Sequence, residues 1–242
     1  MKNKGILEYA MEVFPDTILN SLVFENKNYS QLVDIGKNTA NFDSPFFTDL
    51  LEQVKKLYDE KILTDQFKQE GVYFRESQIY SPKDYLLRSA IIYKNATIYQ
   101  MPNSSEKASG VTFHGYDQYA LNANSTVKME AWDYLKHLLS YDMQLHSQTD
   151  SFPVNKAANE KSFADLKNGT KLDNPKGGEI TISEAWFQPL KQMINEANTQ
   201  MRWNDKIQTI ISEESKSYFS GQKSAESVAE IIQNRVMTYL NE

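Results

Sequence analysis

The closing stretch, NDKIQTIISEESKSYFSGQKSAESVAEIIQNRVMTYLNE from Asn204 to Glu242, constrains the chain more than any other. Ile207, Ile210, Ile211 and Tyr218 recur at three- and four-residue steps, and so do Val228, Ala229, Ile232, Val236, Tyr239 and Leu240. Each set lines one face of a helix and must be covered by apolar surface elsewhere. The punctuation agrees with the pattern. Asn204 and Ser224 are cap residues, Gly221 sits where a glycine ends a helix, and Glu226 places a negative charge in a first turn. The spacing predicts two antiparallel helices joined at Gly221–Ser224.

A second helix signal lies in NFDSPFFTDLLEQVKKLYDEK. Ser44 is placed to cap it and Pro45 suits its first position, where a missing N–H costs nothing. Phe46, Phe47, Leu50, Leu51, Val54, Leu57 and Tyr58 form its apolar face, whereas Glu52, Lys55, Lys56 and Asp59 fall outside it. Farther on, GVYF and ATIYQMP read as short strands punctuated by Gly71 and Pro102. Between them Ser81-Pro82 starts a helix that YLLRSA continues. YALNA reads as another strand, followed by Ser125 as a cap. Met129, Trp132, Leu135, Leu138 and Leu139 are the expected buried face of the next helix. NEKSFADLKNGTKLDNPKGGEITISEAW reads as a helix end, a long exposed connection broken by Gly169, Pro175, Gly177 and Gly178, and a new start at Ser183. No internal repeat occurs.

With 242 residues and 40% hydrophobic content, the chain can build one large domain or two small lobes. Its net charge of −6 argues against a nucleic-acid binder, which needs a surplus of Lys and Arg. The absence of cysteine removes disulfides, thiol nucleophiles and cysteine-based zinc sites. The N-terminal MKNKGILEYAMEVFPDTILN has neither the apolar core nor the cleavage site of a signal peptide, and no stretch approaches a membrane span.

Catalytic signatures are missing as well. There is no G-x-S-x-G elbow, phosphate loop, G-x-G-x-x-G or H-E-x-x-H, and His114, His137 and His146 have no ligand spacing. Glu213 and Glu214 are adjacent on a helix and point apart, a poor carboxylate pair. LDNPKGGE lacks the pattern of a calcium loop and reads as a plain turn. The Asn-x-Ser/Thr triplets at Asn95 and Asn168 are expected by chance in so Asn-rich a chain. The tryptophans say more. Trp132 lies in a helix stripe and reads as core, whereas Trp186 and Trp203 lie near helix starts, where a ring can stack on a sugar or simply cap a core.

YALNANSTVKMEAWDYLKHLLSYDMQ, SFPVNKAA, NFDSPFFTDLLEQVKKLYDEK and YFSGQKSAESVAEIIQNRVMTYLNE together resemble segments of the extracellular solute-binding proteins of bacterial ABC importers, the sugar-binding family that includes the maltose-binding type. The resemblance runs over nearly the whole chain and corresponds to the C-terminal half to two-thirds of such a protein, lacking the start of the N-terminal lobe. It implies a predominantly helical α/β fold, a periplasmic-binding-protein-like (type II) second lobe with a few short strands in an incomplete two-lobe architecture. Residues 1–110 would belong to the C-terminal lobe with hinge-proximal strands, 111–148 to the N-terminal lobe, and 149–242 to the closing helices of the C-terminal lobe.

The function implied is non-enzymatic capture of an oligosaccharide or related solute in an interlobe cleft, for delivery to ABC permease subunits. No cofactor or metal is implied. Cleft positions carried over are Arg75 and Glu76 after the GVYF strand, Tyr116 and Gln118 before the crossing between lobes, Trp203 as a stacking aromatic near the penultimate helix, and Trp186. Arg75 and Glu76 also fit an ordinary exposed ion pair, worth about 0–1 kcal/mol. The intact parent would carry an export signal and a lipid anchor. Two other readings stand beside this one: a helical interaction domain derived from the family that binds no solute, and a glycoside hydrolase whose carboxylates come from distant segments.

Overall fold

A computed structural model describes residues 9–24, 26–67, 71–92, 97–99, 111–115, 118–146, 151–167, 172–173, 179–180, 182, 184–201 and 203–242. Elements follow in the order β1 (Tyr9–Glu12), α1 (Pro15–Val23), α2 (Asn26–Leu32), β2 (Val33–Asp34), β3 (Thr39–Ala40), α3 (Pro45–Asp59), β4 (Leu63–Thr64) and β5 (Val72–Phe74). Then come α4 (Pro82–Leu86), β6 (Val111–Phe113), α5 (Lys128–Leu138), α6 (Tyr141–His146) and α7 (Lys156–Lys167). The chain continues with β7 (Leu172–Asp173), β8 (Glu179–Ile180), α8 (Gln188–Glu196), β9 (Ala197–Gln200), α9 (Asp205–Phe219) and α10 (Ala225–Leu240). It divides into two compact units, one of Met1–Ser77 with Gln200–Glu242, the other of Gln78–Thr199.

The first unit holds a parallel three-stranded sheet in the order β4-β1-β5, with Met11 opposite both Leu63 and Phe74. β2 and β3 pair as a small antiparallel ribbon. Helices α1, α3, α9 and α10 share a core in which Leu19, Phe47, Leu51, Ile211, Ile232 and Val236 are fully buried. The predicted closing helices form with their predicted punctuation. Asn204 accepts a hydrogen bond from the Ile207 N–H, Ser224 accepts one from the Ser227 N–H, and Gly221 adopts φ 75° just past α9. The Gln233 side chain accepts from the Phe42 N–H and donates to the Ala40 carbonyl, fastening the β3 end to α10.

α3 spans the expected residues and buries the expected face, but Ser44 does not cap it. The Ser44 hydroxyl instead donates to the Asn41 carbonyl, closing the preceding turn.

The second unit departs further from its sequence pattern. Its core gathers Tyr85, Leu86, Phe163, Phe187 and Leu190, with Ile182. Ser81 caps α4 as expected, accepting from the Asp84 N–H, and the chain continues as a π-helical turn over Leu87–Ile92. β6 pairs with β9, and β7 with β8 in antiparallel register. YALNA forms no strand, and Thr97–Tyr99, the described part of ATIYQMP, forms none either. Ser125 lies ahead of α5 rather than at its cap, and its hydroxyl accepts from the Val127 N–H in a local turn. Ser183 falls outside the described residues; a 3-10 turn over Glu184–Phe187 leads into α8.

The largest correction concerns α5, which has no buried residue. Met129 is 71% exposed, Trp132 49% and Leu139 51%, so Trp132 is not core. The apolar stripe exists as a pattern, but it is only partly covered: Leu135 and Leu138 are half-buried, and none of the five is buried.

Candidate functional site

In open α/β sheets, ligands collect beyond the carboxyl ends of the strands, where loops converge and backbone groups are free. In the first unit β1 ends at Glu12, β4 at Thr64 and β5 at Phe74. Because Met11 stands opposite Phe74, the next residues, Glu12 and Arg75, leave the sheet side by side. They meet there: Arg75 Nη1 donates to Glu12 Oε2 at 3.1 Å, with the two side chains 31% and 18% exposed. Partial burial screens this pair less than an ordinary surface pair. Glu76 follows at once, and desolvation by the surrounding protein pushes its carboxyl pKa up.

Phe14 is 62% exposed two residues after β1, and Tyr73 and Phe74 are 54% and 53% exposed, their ring centroids 6.4 Å apart. Exposed rings beside charged and hydrogen-bonding groups suit a sugar, whose C–H face packs on an aromatic while its hydroxyls bond to polar groups.

Toward the β4 side the unit has an open groove of about 550 Å3 whose lining includes Phe14, Tyr58, Thr64 and Phe219 with both acidic (Asp16, Asp59, Asp65) and basic (Lys55, Lys61, Lys216) side chains. That volume lies in the range of small-molecule sites, about 300–1,000 Å3. Tyr58, on α3, donates its hydroxyl hydrogen to the Val13 carbonyl. Burial first, then the carboxylates of Asp65 and Asp16, push its pKa far above the usual phenol range, so it remains a neutral phenol. Asp16 sits in the first turn of α1, where the helix dipole favours a carboxylate. Thr64, 5% exposed, accepts the Gln66 N–H and fixes the turn that presents Asp65.

Of the residues expected to contact a solute, Arg75 and Glu76 therefore stand together at this edge. Trp203 lies in the same unit just before α9, its ring 4.9 Å from Phe24 and its indole N–H donated to Asp205 at 2.6 Å. Packing and capping occupy much of it, and it is 39% exposed. Trp186 and Gln118 belong to the second unit. Trp186 is half-buried in the 3-10 turn against the Phe163–Phe187 cluster, and the exposed Gln118 donates its side-chain N–H to the Gly115 carbonyl. Tyr116 lies outside the described residues. Glu12, Phe14, Asp16 and Asp65 went unrecognised in the sequence. For the first three the only signal is a short β-type run, YAME, followed by a Phe-Pro-Asp helix start; Asp65 follows a two-residue strand that leaves none. Among the described residues no group of three or more acidic or histidine side chains could hold a metal ion, and no helix is long and apolar enough to cross a membrane.

No family model matches the sequence, and no curated protein matches it. Two crystal structures do resemble the fold: those of a protein from Synechococcus sp. MITs9220 described as an oligosaccharide periplasmic-binding protein, one of them in complex with zinc. Both superpose with a TM-score of 0.55, at 16% and 15% identity, over 99% and 98% of this chain. The fold is periplasmic-binding-protein-like. The chain spans 62% of the length of each of those structures. At 15–16% identity the likeness concerns architecture alone.

Proposed function

We propose that the chain is the substrate-binding component of an ABC transporter, or a large part of one, capturing a carbohydrate-type solute without chemically transforming it. The observation that carries this reading is the carboxyl edge of the β4-β1-β5 sheet. There a Glu12–Arg75 pair stands beside the exposed Phe74, and the same unit holds a groove of about 550 Å3 lined by Phe14, Asp16 and Asp65 but not by Glu12, Phe74 or Arg75. The likeness to oligosaccharide periplasmic-binding structures supports the same class of ligand. In this reading the protein acts outside the cytoplasm, the intact parent bears a lipid anchor, and the bound form docks on permease subunits. Tyr116, Gln118, Trp186 and Trp203 are further proposed contacts, supported by sequence resemblance alone.

We assign residues 111–148 to the other lobe of the parent, and the exposed apolar residues of α5 support that assignment. That proposal leaves residues 1–110 and 149–242 to the C-terminal lobe, whereas the compact units divide the chain after Ser77 and after Thr199 and keep 111–148 together with α4, α7 and α8.

The test is a thermal-shift and calorimetric panel of neutral, amino and acidic di- and trisaccharides. Ligand at 100 times Kd contributes about 2.7 kcal/mol to stability, a readily measured rise in Tm. One sugar class should raise Tm, and Arg75→Ala with Phe74→Ala should abolish the rise. No shift with any sugar contradicts the proposal, and turnover of one identifies a hydrolase instead.

A further inference from the structure

One arc of α5 presents large side chains to solvent. At about 100° per residue, Met129, Trp132 and Leu139 fall within roughly 80° of the helix circumference, and all three are exposed. α6 follows after Ser140, packs against α5 and adds Tyr141 and Met143, 39% and 37% exposed. The Gln144 side chain donates to the Leu138 carbonyl and the Asn155 side chain to the Leu139 carbonyl, holding this junction in place. At ~200 Å2 for a fully exposed large side chain, these residues expose on the order of 500 Å2 of apolar surface. That is near the top of the range, about 300–600 Å2, for the largest apolar patch of an ordinary monomer. Because interfaces are about 60% apolar, it corresponds to a contact of roughly 800 Å2, one partner's share of a stable dimer.

The charges in the arc narrow what can cover it. Lys136 falls between Met129 and Trp132 on the circumference and pairs with Asp133 at 2.6 Å. A purely apolar cover would desolvate this ammonium without compensation, so the covering surface must offer a carboxylate. Nor does a lipid surface fit. α5 and α6 carry Lys128 and Lys136 against Glu130, Asp133 and Asp142, with no positive excess to attract anionic headgroups.

A second copy of α5 supplies the match. In an antiparallel pair with its twofold axis level with Tyr134, Met129 faces the Leu139 of the other copy, and Trp132 faces its Lys136. Lys136 then lies within about one helical rise, ~1.5 Å along the axis, of the other copy's Asp133. Two ion pairs close around the axis, each ammonium beside an indole ring. Such a self-complementary contact stops at two chains. We infer that this arc is the interface of an antiparallel homodimer, with Trp132 near its centre and Asp133 and Lys136 setting its register. The inference goes beyond the solute-binding reading and does not depend on it.

Sedimentation equilibrium of the full chain, from nanomolar to near-millimolar concentration, tests it. The mass should rise from 27.9 kDa to twice that and no further. Trp132→Gln should weaken the dimer at least about tenfold, a factor worth ~1.4 kcal/mol, with the unfolding midpoint of dilute protein unchanged. Lys136→Glu and Asp133→Lys should each weaken it alone. Mixed in equal amounts, those two variants should associate again, because their altered charges complement each other and not themselves. A monomer at every concentration overturns the inference and leaves the arc to the parent's other lobe or to a different protein. A dimer that Trp132→Gln leaves intact, growth beyond two copies, or a mixture that fails to associate overturns it as well.

Discussion

Helix α5 and the closing pair α9–α10 carry the same kind of apolar stripe and end in opposite circumstances. Ile207, Ile211, Val228, Ile232 and Val236 are fully buried, whereas Met129, Trp132 and Leu139 are 71%, 49% and 51% exposed. Periodicity therefore reports that a helix is built to lie against something. Whether that surface exists nearby depends on residues far away in sequence. α9 and α10 have it in α1, α3 and each other; among the described residues α5 is covered only in part, and none of its residues is buried. The pattern is local and its satisfaction is not.

The contrast can be broken by mutation. Ile211→Ala should cost about 2–5 kcal/mol in equilibrium urea unfolding, since it opens a cavity in a closed core. Trp132→Gln should change stability by no more than about 0.5 kcal/mol and should reduce self-association in light scattering. If Trp132→Gln costs as much as Ile211→Ala, the face is covered in solution and the distinction between the helices fails.

The caps sharpen the same comparison at smaller scale. Asn204→Ala removes a side chain that accepts the Ile207 N–H and should cost about 1 kcal/mol. Ser44→Ala stands in the equivalent position of α3 but only loses a bond to the Asn41 carbonyl, so a smaller loss is expected. Equal losses in the same unfolding assay would mean that Ser44 caps after all.

The smallest effect is expected at Glu76. Its pKa is raised by desolvation, so the folded state holds this proton more tightly than the unfolded chain. Relative to an unperturbed carboxyl, the folded protein is therefore favoured below the unfolded pKa, and that advantage is lost as pH rises through the folded value. Glu76→Gln should raise stability slightly at pH 7, within about 0.5 kcal/mol for so exposed a group, and should make no difference near pH 3. A loss of stability at pH 7 would indicate instead that the carboxylate is held by a partner.

Much of the first unit was legible in the sequence. α3, α9 and α10 carry long, regular stripes and strong end signals, and GVYF forms β5. The sheet itself was hidden, because β4 has two residues and β1 four, too few to establish a period. The Glu12–Arg75 pair joins residues 63 apart, and only the parallel register puts them side by side. Arg75 and Glu76 could nonetheless be placed at a strand end from the sequence, since they follow the one strand that was recognisable. Glu12, Asp16 and Asp65 follow strands that were not. In the second unit YALNA has strand-like composition but no neighbour to pair with among the described residues, so propensity alone does not make it a strand.

Hydrogen exchange read by mass spectrometry, with and without a saturating disaccharide, tests the central claim most directly. The account predicts slowed exchange confined to three strand ends, around Glu12–Asp16, Thr64–Gln66 and Phe74–Glu76, with the buried α9–α10 pair unchanged. Protection that spares those three segments and falls elsewhere would contradict it.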